Sequence, residues 1–411
     1  MSEFLDLISP STALARLLAA APARCQPETI PVADALGRVA FAAVTAPLSL
    51  PPFSRAAVDG YAVRAADTHG ASDTLPAYLR LVGEAPMGAA AGFTLQPGEC
   101  GLIHTGGMLP SGADAVVMIE YTQTPLASEV ELWRPVAHGE NVIHAGEDVG
   151  VGDVVVAAGS RLRPAEIGGL MALGITELSV SRRPRVGILS SGDELVPPGQ
   201  PLRPGQIYDV NTYTLKALVT QAGGQPITYD IIPDQITAFR RAAVRALAEC
   251  DVVVFTAGSS VSVRDLTAQT IAELGPPGVL VHGINIRPGK PTILAVCADK
   301  AVIGLPGNPV SALVIASLFL TPLIENHLGL RQQRPRAAVP ARLALNLASQ
   351  AGREEWVAVR LQPTPAGYLA QPIFGKSNLI FTLARADGLI CIPADANGLA
   401  AGDPVTVTLW S

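Results

Sequence analysis

Basic residues are scarce in this chain: 29 lysines and arginines stand against 35 aspartates and glutamates, for a net charge of −6. No basic field is available to track a nucleic-acid backbone or an anionic membrane surface, and neither is expected as a partner. Cysteine is scarcer still. The thiols at Cys25, Cys100, Cys250, Cys297 and Cys391 are odd in number, widely spaced and form no C-x-x-C pair. That argues against a disulfide frame or a zinc site and for small buried apolar residues in a reducing compartment. The N-terminus, MSEFLDLISPSTALARLL, lacks a basic segment followed by an apolar run, so it is not read as a signal peptide. The mature chain is expected to start near Met1 and to reside in the cytoplasm. Long apolar runs are also lacking: the longest, Val310 to Ile324, falls short of the ~20 residues of a membrane span and contains Pro322. It reads as a buried helix.

What the chain does have is hydrophobic residues, 49% of the total, together with 39 glycines and 35 prolines. That is the composition of packed cores joined by many turns. Its 411 residues exceed one ordinary core, and at ~100–200 residues per unit two to four domains are expected. A helix is predicted over Thr12 to Ala20, capped by Ser9 or Ser11 and stopped before Pro22. From Ala46 to Gly150 short apolar runs are broken by Gly, Pro and Asp, as in AAVDGYAVR, CGLIHTGG and ADAVVMIE, which predicts a β-rich unit. Residues 151–180 hold VGDVVVAAGSRLRP and a helical stretch closed by Gly174. If they return to the N-terminal unit, that unit is discontinuous and the β-rich one is inserted.

From Arg183 onward β-type runs alternate with helical periods: RVGILS, NTYTLKALVTQAGG, PITYDII, AFRRAAVRALAEC, DVVVFTAG, LTAQTIAELG, AVIGL and PVSALVIASLFL. This is the pattern of βαβ units around a mostly parallel sheet. Short alternating runs return after Arg336 (RLALNLA, EEWVAVRL, GLICIPA, DPVTVTLW) and predict a small all-β domain.

In an open parallel sheet, ligands bind beyond the carboxyl ends of the strands, where three loops stand out. After DVVVF, the run Gly258-Ser259-Ser260 with Ser262 offers backbone N–H groups and hydroxyls as a phosphate cradle does, although a tight turn alone explains small residues. In Pro306-Gly307-Asn308-Pro309, Asn308 can cap the next helix and Pro309 can take its first position, and such a helix start also suits an anion. After RVGILS, Asp193 and Glu194 can serve a metal ion or proton transfer, or simply form a solvated turn. Arg287 and Lys290 place two cations on one turn, suited to an oxyanion clamp or to plain solvation.

Taken together, these strings resemble the molybdopterin molybdenumtransferase family, the group that includes the gephyrin E domain. The likeness spans nearly the whole chain: PPFSRAAVDGYAV at 51–63, HTGGMLPSGADAVV at 104–117, GEDVGVGD at 146–153, LSSGDELV at 189–196, GQIYDVN at 205–211, INIRPGKPT at 284–292, GLPGNPVSAL at 304–313 and GKSNLI at 375–380. The resemblance implies a multidomain α+β and α/β chain. Its parts would be an elongated discontinuous unit at 1–45 and 151–180, an inserted β-rich unit at 46–150, an α/β unit at 181–330 with a three-layer, mostly parallel sheet, and a β-barrel-like unit at 331–411. It implies a homodimer whose active site lies between the α/β unit of one subunit and the second and fourth units of the other. The implied reaction takes adenylylated molybdopterin and molybdate, uses Mg²⁺ and releases AMP, and a molybdopterin adenylyltransferase is an implied partner.

By motif match, Ser260, Arg287, Lys290, Ser311 and Ser377 are the implied oxyanion and phosphate contacts, with Gly258, Ser259, Ser262, Pro306, Gly307, Asn308 and Pro309 in the same binding loops. Asp59, Thr105, Asp148, Glu194, Asp234 and Asp265 are the implied catalytic set, with Glu194 and Asp265 on the metal. Two arginines common in the family are absent: Ile143 and Ala358 stand in their places. A paralogue that handles tungstate, or a pterin-binding scaffold on the same fold, is the alternative reading. A nucleotide-dependent oxidoreductase ranks far behind, since Ser190-Ser191-Gly192-Asp193 stands where G-x-G-x-x-G would follow the first strand. Arg264, an added cation beside Asp265, is expected to replace part of the lost charge. Arg264→Ala should weaken molybdate binding about tenfold, the effect of one charge-assisted contact; unchanged affinity in equilibrium dialysis would refute the compensation.

Overall fold

The computed structural model describes residues 7–256, 261–331 and 337–410, the side chains of 261–265 excepted. Its centre is a six-stranded sheet. Strands Gln225–Thr228, Arg185–Ser190, Val252–Thr256 and Lys300–Leu305 lie side by side and parallel. Along Val252–Thr256 the alternation of a strand sends Val252 and Val254 into one core and Val253 and Phe255 into the other. An unbroken apolar run is what a sheet covered on both faces requires.

One face is covered by helices Asn211–Ala222 and Pro309–Ile315 with its continuation, through Leu215, Val219, Ile315 and Phe319. The other is covered by helix Ile236–Glu249 and its neighbour Val261–Glu273, where Phe239 stacks on Phe255 with ring centroids 6.3 Å apart. Each buried side chain of this size contributes about 1.5–3 kcal/mol. Helix Asn211–Ala222 ends on Gly223 at φ +99°, a left-handed position suited to glycine.

The sheet is not parallel throughout. Ile293–Cys297 and Pro277–His282 extend it antiparallel, two strands that the alternating pattern did not reveal. Ala298 and Asp299, both at positive φ, form the tight reversal from Ile293–Cys297 into Lys300–Leu305. An Ala-Asp pair lacks the Asn-Gly or Asp-Gly signature by which such turns are read.

Helix Pro10–Ala20 is capped by Ser9, whose Oγ accepts the Thr12 N–H at 3.1 Å. Grouped with the elongated unit on sequence, it instead packs Ala13 and Leu17 into the core of the central sheet. Pro27–Pro31 pairs antiparallel with Glu177–Ser181, and Val32, Ala40, Leu162, Leu170 and Val180 share a small core, so chain segments some 150 positions apart build one unit. Between them lies a six-stranded sheet from strands within 60–132.

In the C-terminal region Ala338–Leu343, Glu354–Thr364, Gly367–Pro372, Gly388–Ile392 and Pro404–Leu409 close into a barrel, because Glu354–Thr364 pairs with both Gly367–Pro372 and Gly388–Ile392. The strand Gly367–Pro372 was not evident in the sequence, where prolines flank it. Ile286–Arg287 of the central unit adds to this barrel sheet, alongside Glu354 and Glu355.

The apolar stretch near residue 310 forms a helix running on to His327, 19 residues long and apolar enough by length and composition to cross a membrane. Within it Ala312, Ile315, Phe319, Leu320, Leu323 and Ile324 are buried in the protein core. All five cysteines are free; Cys100, Cys250 and Cys297 are buried and Cys25 and Cys391 half-buried. Burial pushes the Cys297 and Cys391 thiols up to about 11, which leaves them unreactive.

The last helical turn holds His327, 2% exposed, whose Nδ1 accepts the Arg24 N–H at 3.3 Å. Burial lowers its pKa below the ordinary 6.5. The unfolded chain therefore binds the proton first, and stability is present above that value and lost as pH falls through it. Chemical denaturation should show a loss of at most about 1.4 kcal/mol per pH unit on that account, and His327→Gln should remove that component of the slope.

Candidate active site

A cleft of about 1000 Å³ opens between the central unit and the C-terminal barrel. Arg287, Lys290, Pro306, Asn308, Ser311 and Ser377 all line it. These residues come from three distant stretches: the turn after Ile286–Arg287, the loop after the strand Lys300–Leu305, and a barrel loop.

The turn is latched from both sides. Thr292 Oγ1 donates to the Gly289 carbonyl at 2.7 Å, and the Ile284 N–H donates to the Lys290 carbonyl at 3.0 Å. Arg287 is exposed and its guanidinium meets the Glu355 carboxylate at 3.0 Å, so part of its charge is already neutralised. Lys290, Arg353 and Lys376, also on the cleft, have no salt bridge among the described residues, which leaves their charge available to an anion.

The helix start at Pro309 differs from its sequence reading. Asn308 occupies the capping position but makes no side-chain cap; its Nδ2 donates to Ser377 Oγ at 3.0 Å instead. The Val310 N–H donates to the Ser377 carbonyl at 3.0 Å. The barrel loop thus takes up one of the amides expected to point free at an anion, and it brings the Ser377 hydroxyl to the helix end. Ser311 is buried one residue on.

Behind this loop lies a buried polar network at the carboxyl edge of the sheet. Asn211 Nδ2 donates to Thr256 Oγ1 at 2.6 Å and to the Gly307 carbonyl at 2.8 Å, and Asp209 Oδ1 accepts from Ser190 Oγ at 3.3 Å and the Thr212 N–H at 3.1 Å. Asp209 and Asn211 were not picked out from the sequence as site residues. The signal was the string GQIYDVN, in which two polar residues open a helix.

Asp193, Glu194 and Asp234 form an acidic group at the same edge, beside a cavity of about 510 Å³ lined by Asp193, Asp209 and Asp230. The Asp234 N–H donates to Asp193 Oδ1 at 3.2 Å. Burial, and then the charges of Asp193 and Glu194, raise the Asp234 pKa, and its buried Oδ1 has no hydrogen-bond partner. A cation would relieve that repulsion. Among the described residues no three His, Cys, Asp or Glu side chains converge as a ready metal cage.

Asp59 and Thr105 meet elsewhere, on the inserted sheet. Asp59 Oδ1 accepts the Thr105 N–H at 2.7 Å and its hydroxyl at 3.0 Å, and His104 Nδ1 lies 3.7 Å away. The two Thr105 bonds hold this exposed carboxyl below the usual range, so it is ionised at neutral pH. Asp148 sits on an exposed turn that borders a different hollow, beside Leu50 and Leu170. Within one chain the implied catalytic set is therefore spread over separate surfaces. Gly258, Ser259 and Ser260 lie outside the described residues, as do the side chains of Ser262, Arg264 and Asp265.

The two positions where the resemblance implies arginines differ in their surroundings. Ala358 is buried against Val310, Val314 and Leu389 on the cleft wall, and Ile143 pairs with Arg55 in a short ladder.

Three family models match in order: the MoeA N-terminal region (domain I and II) over residues 8–174, a probable molybdopterin-binding domain over 187–326, and the MoeA C-terminal region (domain IV) over 340–410. The chain is 37% identical to a putative molybdopterin biosynthesis protein of Methanocaldococcus jannaschii, covering 92% of this chain and 91% of that one. It is 36% identical to molybdopterin molybdenumtransferase 2 of Mycobacterium tuberculosis, covering 95% and 97%. The crystal structure of a Pyrococcus horikoshii molybdopterin biosynthesis protein superposes with a TM-score of 0.83 at 37% identity, over 98% of this chain and 99% of that one.

Gly289, at φ +112°, gives this geometry a direct test. A Cβ there would lie 2.3 Å from Ile315 Cγ1, so the turn carrying Arg287 and Lys290 sits hard on the helix. Gly289→Ala should cost about 1–3 kcal/mol in denaturant unfolding; a variant of wild-type stability would show that the turn is not held there.

Proposed function

Because this chain belongs to the molybdopterin molybdenumtransferase family, we propose that it inserts molybdate into adenylylated molybdopterin, with release of AMP, in molybdenum cofactor biosynthesis. The observation that carries this reading is the cleft in which Lys290, Ser311 and Ser377 approach one another from separate segments. An ammonium and two hydroxyls are donors suited to an oxyanion, and an aspartate-rich edge is suited to the cation that accompanies a phosphate.

In this reading Lys290, Arg287, Ser311 and Ser377 hold molybdate and the pterin phosphate, together with Ser260 and the loops Gly258–Ser262 and Pro306–Pro309. Glu194, with Asp193 and Asp234 beside it, and Asp265 would hold Mg²⁺, which when bound supplies charge neutralisation at the adenylate phosphate. Asp234, whose pKa is raised by burial and then by the charges of Asp193 and Glu194, is stabilised in its ionised form by a cation. Asp59, kept ionised by Thr105, orients the attacking oxygen, and Asp148 completes the set. Asp59 lies on the inserted unit, so a homodimer that presents that unit to the partner's cleft completes the site. The division into 1–45 with 151–180, 46–150, 181–330 and 331–411 belongs to the same proposal, as does a cytoplasmic location, which the five free thiols favour. A molybdopterin adenylyltransferase would deliver the substrate.

The test is AMP release from adenylylated molybdopterin with Mg²⁺, comparing molybdate with tungstate. Release dependent on molybdate, and lowered about 10²-fold or more in Glu194→Gln and Ser377→Ala, is the expected result. Preference for tungstate would instead indicate an altered oxyanion site lacking the arginines replaced by Ile143 and Ala358. No release with either oxyanion would indicate a pterin-binding protein that does not turn over.

A further inference from the structure

A second, smaller pocket of about 290 Å³ lies behind the cleft where the barrel, the central helices and the discontinuous unit meet. None of the residues assigned to the reaction lines it. Trp356 and Leu389 line both the cleft and this cavity and so stand between them. Pockets at such junctions are common ligand sites.

Two observations set it apart from a packing defect. Trp356 Nε1, Trp410 Nε1 and Thr321 Oγ1 all belong to residues lining it, all are shielded from solvent, and none has a hydrogen-bond partner among the described residues. Leaving a buried donor unmade costs about 1–3 kcal/mol each, so several on one small cavity ask for acceptors. In addition, the helix that forms one wall widens into a π-helical turn over Ala316–Leu320, and Ser317 and Leu318 of that turn face the cavity. Such turns interrupt regular helix hydrogen bonding and gather at functional sites.

The lining defines the ligand's chemistry. An indole N–H is donor only, so the ligand must present acceptors. The charge is matched: Arg161 donates to the Gly37 and Ala222 carbonyls at 3.1 and 3.3 Å, and Glu325 lies 3.9 Å from it. Nothing here selects a net anion or cation. Leu218, Leu318 and Leu409, with the two indoles, make the rest of the wall apolar, which suits a flat ring system. We propose that this cavity is a second ligand site, for a small neutral heterocycle that presents carbonyl or ring-nitrogen acceptors to Trp356, Trp410 and Thr321.

The chain has three tryptophans, which permits a direct reading on the full-length protein labelled with ¹⁵N-tryptophan, its indole N–H signals assigned by Trp→Phe exchanges. Titration with hypoxanthine and with caffeine should shift the Trp356 and Trp410 signals saturably and leave Trp133 in place. Trp410→Phe, which keeps the ring and removes the donor, and Thr321→Val should each weaken binding about tenfold, the loss of one hydrogen bond. Ser377→Ala in the cleft should leave it unchanged. No saturable shift with either compound at millimolar concentration would overturn the proposal and leave water as the occupant. Loss of binding in Ser377→Ala, with none in Trp410→Phe or Thr321→Val, would place the compounds in the cleft and overturn it equally.

Discussion

The pairing of Ile286 and Arg287 with Glu354 and Glu355 is the contact on which the rest of the site depends. It carries main-chain hydrogen bonding across the border between the central unit and the barrel, and it puts the Arg287 guanidinium on the Glu355 carboxylate. A ladder fixes register as side-chain contacts alone do not, since a slip of one residue would turn every side chain to the opposite face. The barrel is thereby set on the central unit, and its loop at Ser377 reaches the helix start at Val310. Without that seating, the serines and lysines of the cleft would belong to two unrelated surfaces.

The same seating explains how an acidic protein offers an anion site. The net charge of −6 is spread over the chain, while the cleft gathers Lys290, Arg353 and Lys376 beside hydroxyls and a helix end. Carboxylates gather at the neighbouring edge around Asp234, whose pKa is raised by burial and then by the charges of Asp193 and Glu194. Ala358, where the resemblance implies an arginine, joins the apolar wall with Val310 and Leu389.

Much of this was legible in the chain itself. The run VVVF announced a doubly covered strand because burial on both faces removes alternation, and Gly174 marked a helix end. The loops after the strands Arg185–Ser190 and Lys300–Leu305 pointed to the carboxyl edge where the site lies. The antiparallel extension was hidden because the reversal at Ala298-Asp299 lacks the usual turn residues. Asp209 and Asn211 stayed hidden because a buried polar residue and an exposed one look alike in a string; only their partners, Thr256, Gly307 and Ser190, distinguish them.

By itself the sequence determined the central α/β sheet, the β-rich character of the flanking parts, and the family, because hydrophobic period, turn residues and long motifs are properties of neighbouring positions. The tertiary structure alone decided which motifs share a surface. It took helix Pro10–Ala20 from the elongated unit into the central core, turned Asn308 from a helix cap into a partner of Ser377, separated Asp59 and Asp148 from the cleft, and enclosed Trp356 and Trp410 around a second cavity. Each of these depends on how elements far apart in the chain pack, and packing is settled by shape and by satisfying buried polar groups across the fold.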